Sequence, residues 1–225
     1  MPVMSVKSDR EIQEDVLQEL RWDSRIREAE VGVEVDKGVV TLTGTVDSWA
    51  KKLAAKEAAH RVLGVRDVAD DVRVKFPGSL QRTDTEIAQD TRFALEWDVL
   101  VPDQNIRSTV SDGLVTLEGQ VNTLSQKEDA VRAIRSVRGV KGVNNWLTVA
   151  PIKADPVQLR KSIEQALERQ AEREAEKIRV TVDDGIVTLE GRMRTWPQRT
   201  AVLGAISHAP GVREVKDHLS VNPWG

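Results

Sequence analysis

The chain has 225 residues, of which 40% are hydrophobic, 31% charged and 4% aromatic, a composition typical of a soluble globular protein of one to three domains. With a net charge of −3 and no cysteine, the sequence predicts neither a nucleic-acid-binding surface nor disulfide or thiol chemistry. The first residues lack the apolar core of a secretory signal, and no apolar run is long enough to span a bilayer, so we predict cytoplasmic localisation.

Three segments open with signals for the start of a helix. Residues 8–11 (Ser-Asp-Arg-Glu) and 83–86 (Thr-Asp-Thr-Glu) have the spacing of a capping box, and Asp155 precedes a proline at the first helical position. The first and third predicted helices carry apolar residues four apart, and the second has Thr91 between two apolar residues of the same pattern, which indicates one buried face on each. The apolar residues are Ile12, Val16, Leu20, Ile87, Leu95, Leu159, Ile163 and Leu167.

A strand and a tight turn are predicted next. Valines or isoleucines alternate with polar residues over 31–35 and 178–182, which is typical of a strand with one buried face. A dipeptide that ends in glycine follows each strand, and such dipeptides permit the positive backbone angles of a two-residue hairpin. We therefore expect strands one and two to pair antiparallel around Lys37-Gly38, Asp112-Gly113 and Asp184-Gly185.

The second strand contains the clearest repeat signal. The pattern Val-Thr-Leu-x-Gly occurs three times, and its glycines, Gly44, Gly119 and Gly191, are 75 and then 72 residues apart. Glycine inside a strand marks a bulge or the close approach of another backbone, and we predict that it lets a helix pack closely here. Three tandem domains follow from the repeat, at residues 8–76, 83–150 and 154–223.

A second helix and a third strand complete each repeat, giving the order αββαβ. The predicted fold class is α/β (α+β): three tandem αββαβ two-layer sandwiches, each with a three-stranded mixed sheet and two helices on one face. The second helix forms the crossover between strands two and three.

The combined pattern resembles the BON domain family in all three repeats. It runs from the turn glycine through Val-Thr-Leu-x-Gly and an alanine-rich helix to a final Gly-Val and alternating strand, as in residues 38–46 and 64–74. The resemblance implies the αββαβ fold, a bacterial protein related to osmotic stress and the binding of phospholipid membranes. Some relatives resemble a potassium-binding cytosolic protein or a periplasmic chaperone.

The candidate binding residues are aromatic and basic side chains near the helix ends. We expect the exit of each first helix and the entry of each second helix to lie at the same end of the domain. Tryptophans edged with cations are what contact with anionic lipid or with a protein partner would use. The set comprises Trp22, Trp49, Trp97, Leu124, Trp196, Lys51, Lys52, Lys127, Arg194 and Arg199. The alternative is structural: Trp22 packs on Trp49 and closes the core, while Trp146 and Trp224 fill interdomain or terminal contacts.

The sequence does not predict an enzyme, because it contains no recognisable catalytic motif. The three histidines, His60, His208 and His218, lack metal-ligand spacing, and the sequence has neither a phosphate-binding loop nor a nucleophile elbow. We expect no catalytic residue, no metal and no cofactor. Three functions remain open: association with anionic phospholipid surfaces, a protein scaffold or holdase chaperone, and a potassium-responsive ion-binding protein. The oligomeric state is not predicted.

Overall fold

The computed structural model describes residues 7–78, 81–151, 155–170 and 178–223, without the side chains of 168–170. Within these ranges the order αββαβ occurs three times, as predicted. The helices are α1 (Asp9–Trp22), α2 (Trp49–Arg61), α3 (Asp84–Trp97), α4 (Leu124–Ile134), α5 (Pro156–Gln170) and α6 (Trp196–Ser207). The strands are β1 (Val31–Asp36), β2 (Val39–Val46), β3 (Asp67–Val74), β4 (Ile106–Ser111), β5 (Leu114–Val121), β6 (Gly142–Val149), β7 (Arg179–Asp183), β8 (Ile186–Met193) and β9 (Glu214–Val221).

Each repeat forms its own three-stranded sheet with the second strand in the centre, in the orders β1-β2-β3, β4-β5-β6 and β7-β8-β9. The first two strands pair antiparallel in every repeat. Strands two and three pair parallel in the first two repeats, where α2 and α4 provide the crossover. The predicted mixed sheets and the predicted fold class are therefore confirmed.

The helix starts have local causes that the sequence predicts correctly. Ser8 and Thr83 form capping boxes with the glutamates three residues later, so that side chain and backbone satisfy each other's hydrogen bonds. Before α5, the Asp155 carboxylate accepts a hydrogen bond from the Val157 N–H at 2.9 Å. Each cap satisfies a backbone N–H that lacks a partner inside its helix.

The start of the first helix is also tied to the hairpin turn. The two turn residues have positive φ in all three repeats, 50° and 77° at Lys37 and Gly38, as the predicted hairpin requires. The Asp9 carboxylate accepts hydrogen bonds from both turn N–H groups at 2.8 Å. Asp84 makes the same pair of contacts in the second repeat. This contact places the first turn of helix one beside the turn of the hairpin.

The strand glycines do face a close backbone, but it is that of the short 3-10 turn before the edge strand and not that of α1, α2, α3 or α4. A Cβ added to Gly44 would lie 2.2 Å from the carbonyl oxygen of Glu30, in the turn before β1. At Gly119 the corresponding distance to the Asn105 carbonyl oxygen is 2.0 Å. The prediction of close helix packing is therefore wrong at both positions, because the chain entering the edge strand crosses over the glycine.

The core of each sandwich lies between the helices and one face of the sheet. In the first repeat, Val40 and Leu42 of β2 are fully buried beneath Ile12, Val16 and Leu20 of α1. The other side of the β2 strand carries threonines that are exposed or half-buried. Each sheet therefore buries one face and leaves the other open.

The chain divides into two compact units that do not coincide with the three repeats. The first unit comprises Met1–Lys75 with Arg192–Thr200 and Ser220–Gly225. The second comprises Phe76–Gly191 with Ala201–Leu219. The predicted boundaries 8–76, 83–150 and 154–223 remain predictions, and residue 154 lies outside the described residues.

Candidate functional site

The two tryptophans that end the first helices point into solvent. Trp22 is 87% exposed and Trp97 is 83% exposed. Each is the last residue of its helix, as the sequence predicts. An exposure of this size is incompatible with the alternative in which Trp22 packs on Trp49 to close the core. That alternative is wrong, because the Trp22 side chain faces solvent.

Ion pairs surround Trp22. Asp23, whose side chain is 8% exposed, accepts hydrogen bonds from the guanidinium groups of Arg25 at 2.7 Å and Arg61 at 3.2 Å. The hydrogen bond from Arg25 is the main reason that the pKa of Asp23 lies well below its ordinary value. On the other side of Trp22, Arg21 pairs with Glu28 at 2.6 Å. The end of α1 is therefore an aromatic ring set among paired charges.

Apolar side chains surround Trp97. Phe93, one helical turn earlier, is 59% exposed, while Val99 and Leu100 in the following turn are 96% and 55% exposed. We call these four residues the α3 apolar cluster. Of these four residues only Trp97 was predicted as a binding residue, although Phe93 and Trp97 have the i, i+4 spacing that places two side chains on one helical face.

Carboxylates outnumber cations around the α3 apolar cluster. The segment from Asp90 to Asp103 carries four carboxylates and one guanidinium, that of Arg92. Arg92 pairs with Glu96 at 2.6 Å and with Asp103. This surface is therefore apolar in its centre and acidic at its border.

The C-terminal end of α1 does not lie beside the N-terminal end of α2. Arg25, three residues beyond Trp22, pairs with Glu57 of α2 at 3.2 Å. Glu57 follows Trp49 by eight residues, or about 12 Å along a helix axis. The last turn of α1 therefore lies beside the second half of α2. The prediction that Trp22 and Trp49 lie together at the same end of the domain is therefore wrong.

The first residues of the second helices are less exposed than the tryptophans above. Trp49, Leu124 and Trp196 are all half-buried, and each is the first residue of its helix. Trp196 packs against the core of the first repeat, and its ring stacks on that of His60 with centroids 4.1 Å apart. Trp196 is therefore a contact between repeats within the first unit and is not part of an open rim.

The predicted cations fall into two groups. Lys51 pairs with Asp47 at 2.8 Å and Glu30 at 3.6 Å, while Lys52 donates to the Val72 carbonyl at 2.7 Å. Their positive charge is largely neutralised within the fold. The other three differ in burial: Lys127 and Arg199 are half-buried and Arg194 is exposed, and the Arg199 guanidinium lies 4.8 Å from the Trp196 ring centroid.

Trp146 is 63% exposed on the open face of β6 and does not fill the interdomain contact predicted for it, while Trp224 lies outside the described residues. In the part of the chain that the structure describes, no group of three or more His, Asp or Glu residues could hold a metal ion. No helix in those ranges has both the length and the apolar character that crossing a bilayer requires.

Comparison with known families finds three matching segments. The sequence profile of the BON domain matches residues 8–75, 83–151 and 155–223. The three matched segments contain the three αββαβ repeats.

Among characterised proteins, a relative is the osmotically-inducible protein Y of Escherichia coli K12, 32% identical over 109 residues. The match covers 47% of this chain and spans about half of the relative, at 54% of its length. Among solved structures, the type III secretion structural protein CdsD of Chlamydia trachomatis matches at 17% identity, covering 93% of this chain and 91% of that chain. A structure of the CdsD C-terminal domain matches at 16% identity over 96% and 100% of the two chains. Their TM-scores, 0.25 and 0.26, are too low to indicate a shared overall arrangement.

Proposed function

The chain belongs to the BON domain family, and on that premise we propose that it is a non-enzymatic, stress-related binding protein that attaches to phospholipid surfaces through its second repeat. The stress-related part rests on the similarity to an osmotically-inducible protein.

One observation carries the membrane part of the proposal, namely the exposure of the α3 apolar cluster. Phe93, Trp97, Val99 and Leu100 are each more than half exposed within eight residues of chain. Exposing such side chains to water is unfavourable by about 25 cal/mol for each Å² of apolar surface. Tryptophan in particular favours the interface between lipid headgroups and acyl chains. The cluster is thus suited to shallow insertion into a lipid interface.

The charges around the cluster define what kind of lipid contact this is. Two of the lysines predicted to attract anionic lipid, Lys51 and Lys52, are engaged within the fold. The border of the cluster is acidic rather than basic. Attachment therefore depends on apolar insertion more than on attraction between opposite charges, and it should respond weakly to salt.

Vesicle co-sedimentation of the full chain tests the proposal. We would use vesicles of phosphatidylcholine alone and of equal parts phosphatidylcholine and phosphatidylglycerol, at low and physiological salt. The test variant, Phe93→Gln with Val99→Ser and Leu100→Arg, introduces the residues that the first repeat carries at the equivalent positions, Gln18, Ser24 and Arg25. It should bind at least about tenfold more weakly, because three apolar side chains leave the interface.

The matched control is Trp146→Asp, which also removes an exposed aromatic ring and also introduces the equivalent residue of the first repeat, Asp71. This control should bind like the wild type, since Trp146 lies on the open sheet face and not at the end of α3. Wild-type protein that sediments with neither vesicle would exclude the membrane function. The acidic-bordered cluster would then support the scaffold alternative, in which a protein partner covers it.

A further inference from the structure

His60 and Trp196 form an aromatic contact between two repeats. His60 belongs to the last turn of α2 in the first repeat, and Trp196 begins α6 in the third. Their rings are stacked, with centroids 4.1 Å apart and planes inclined by 15°. Both residues belong to the first unit of the chain, so the contact is internal to that unit.

The polar atoms of this contact are closed off from water. Neither His60 Nε2 nor Trp196 Nε1 is accessible to solvent, and within the described residues neither has a hydrogen-bond partner. A proton added to His60 would thus place a charge in a site with no acceptor for Nε2. Burying such a charge without a partner is strongly unfavourable.

Two of the three charged groups around His60 act in the same direction as burial, and one opposes it. Lys56 on its own helix and Arg199 on α6 repel a positive imidazole, while Asp67 at the start of β3 attracts it. Burial is the largest effect, and together these groups lower the pKa of His60 from 6.5 to about 4. Arg199 also already occupies the position of a cation beside the Trp196 ring, at 4.8 Å from its centroid.

We propose that His60 and Trp196 form an acid-sensitive latch, which holds the first turn of α6 against the first repeat at neutral pH and releases it on acidification. The neutral imidazole stacks on the indole, and the protonated imidazole separates from it to regain water. Because the pKa of His60 is lower in the latched state, the latch is at full strength above about pH 6.5 and weakens as the pH falls toward 4.

The second unit also has a contact between repeats. There Glu128 of α4 faces Ser207 and His208 of the third repeat, with Asp129 and Arg132 nearby on its own helix. Burial raises the pKa of Glu128, while Ser207 and His208 across the contact favour its charged form. The two effects oppose each other, so this contact is not expected to act as a second latch. The inference stands apart from the proposed membrane function, since it involves no lipid.

Fluorine NMR of the full chain labelled with 5-fluorotryptophan would test the latch. The Trp196 resonance is assigned from its loss in Trp196→Phe, and Trp22, which is 87% exposed, serves as the internal reference. Between about pH 7.5 and about pH 3.5, the Trp196 resonance should move toward the Trp22 position with a midpoint between 4 and 6.5. His60→Gln, which cannot titrate, should abolish this transition. A Trp196 resonance that stays in place while His60 gains its proton would overturn the latch.

A second pair of variants makes the test independent of acid stability. At about pH 7.5, His60→Lys places a permanent charge at the contact and should show the released Trp196 resonance. His60→Gln, which also removes the stacked ring, should keep the Trp196 resonance near its latched position. Equal spectra for the two variants would contradict the latch, because they would show that charge at position 60 does not control the contact.

Discussion

The ends of α1 and α3 share one backbone framework and carry two different surfaces. In both repeats a capping box starts the helix, an aspartate ties that start to the hairpin turn, and an exposed tryptophan ends it. Asp23 and Asp98 each accept a hydrogen bond from the N–H two residues later. Yet Trp22 lies among ion pairs and Trp97 among apolar side chains. The comparison shows that the two repeats share one framework and differ in the side chains around the tryptophan that ends the first helix.

The largest effect should come from the framework and be equal in the two repeats. Gly44→Ala and Gly119→Ala would each place a Cβ about 2 Å from a backbone carbonyl oxygen, at φ of 122° and 134°. Each should destabilise its own repeat by about 3 kcal/mol or more. Hydrogen exchange, followed separately for peptides from each repeat, measures the loss of stability in that repeat. If only one of the two variants loses protection, the framework is not shared.

The next effect should separate the two helix ends. Asp23→Ala removes a nearly buried carboxylate that two guanidinium groups contact, and should cost about 2 kcal/mol. Asp98→Ala removes only the hydrogen bond from the Leu100 N–H and should cost about 1 kcal/mol or less. Hydrogen exchange in the two repeats measures both losses, and equal losses would contradict the difference in their ion pairing.

The Asp23 contribution should also depend on pH. Since the folded pKa of Asp23 lies below its ordinary value of 3.8, its stabilisation is fully present above about pH 4. This stabilisation is lost as the pH falls below that value. The difference in the free energy of unfolding between wild type and Asp23→Ala should therefore become smaller in acid. Unfolding followed at neutral pH and at about pH 3 checks the sign. A gap that widens in acid would show that Asp23 is not stabilised by its cations.

Removing the helix caps should reduce the stability of the two repeats by a smaller amount, which should be equal in both. Ser8→Ala and Thr83→Ala remove one half of each capping box and should each cost about 1 kcal/mol. Exposed Ser24, outside any helix, provides the control Ser24→Ala, for which no loss is expected. Urea unfolding compares the three variants, and a control that loses as much as the cap variants would refute the assignment.

The smallest effect should come from giving the first repeat part of the surface of the second. Gln18→Phe with Ser24→Val places two apolar side chains beside Trp22, at the positions of Phe93 and Val99. Vesicle binding should rise about threefold, or about 0.7 kcal/mol, since the charges around Trp22 remain. Co-sedimentation measures the change. Unaltered binding, with the second repeat still binding, would show that the neighbours of the tryptophan do not determine insertion.

Most of the fold could be predicted from the sequence because its signals are local. Capping boxes, hairpin glycines and the alternation of valines each act within a few residues, and each of these predictions is confirmed. The candidate site was predicted less well. Trp22 and Trp97 are exposed as a binding surface requires, but Phe93, Val99 and Leu100 were overlooked. Their signal was present as a short apolar run with no counterpart in the first repeat, which a comparison between repeats would have revealed.

By itself, the sequence determined the number of repeats, the order of their elements and the turn conformations, since periodicity and backbone sterics act along the chain. Only the tertiary structure decided what each special residue faces. It placed a carbonyl oxygen from the turn before the edge strand against each strand glycine, and it stacked Trp196 on His60 of another repeat. Glu30 precedes Gly44 by 14 residues and Trp196 follows His60 by 136, and both contacts depend on packing distances that no local pattern encodes.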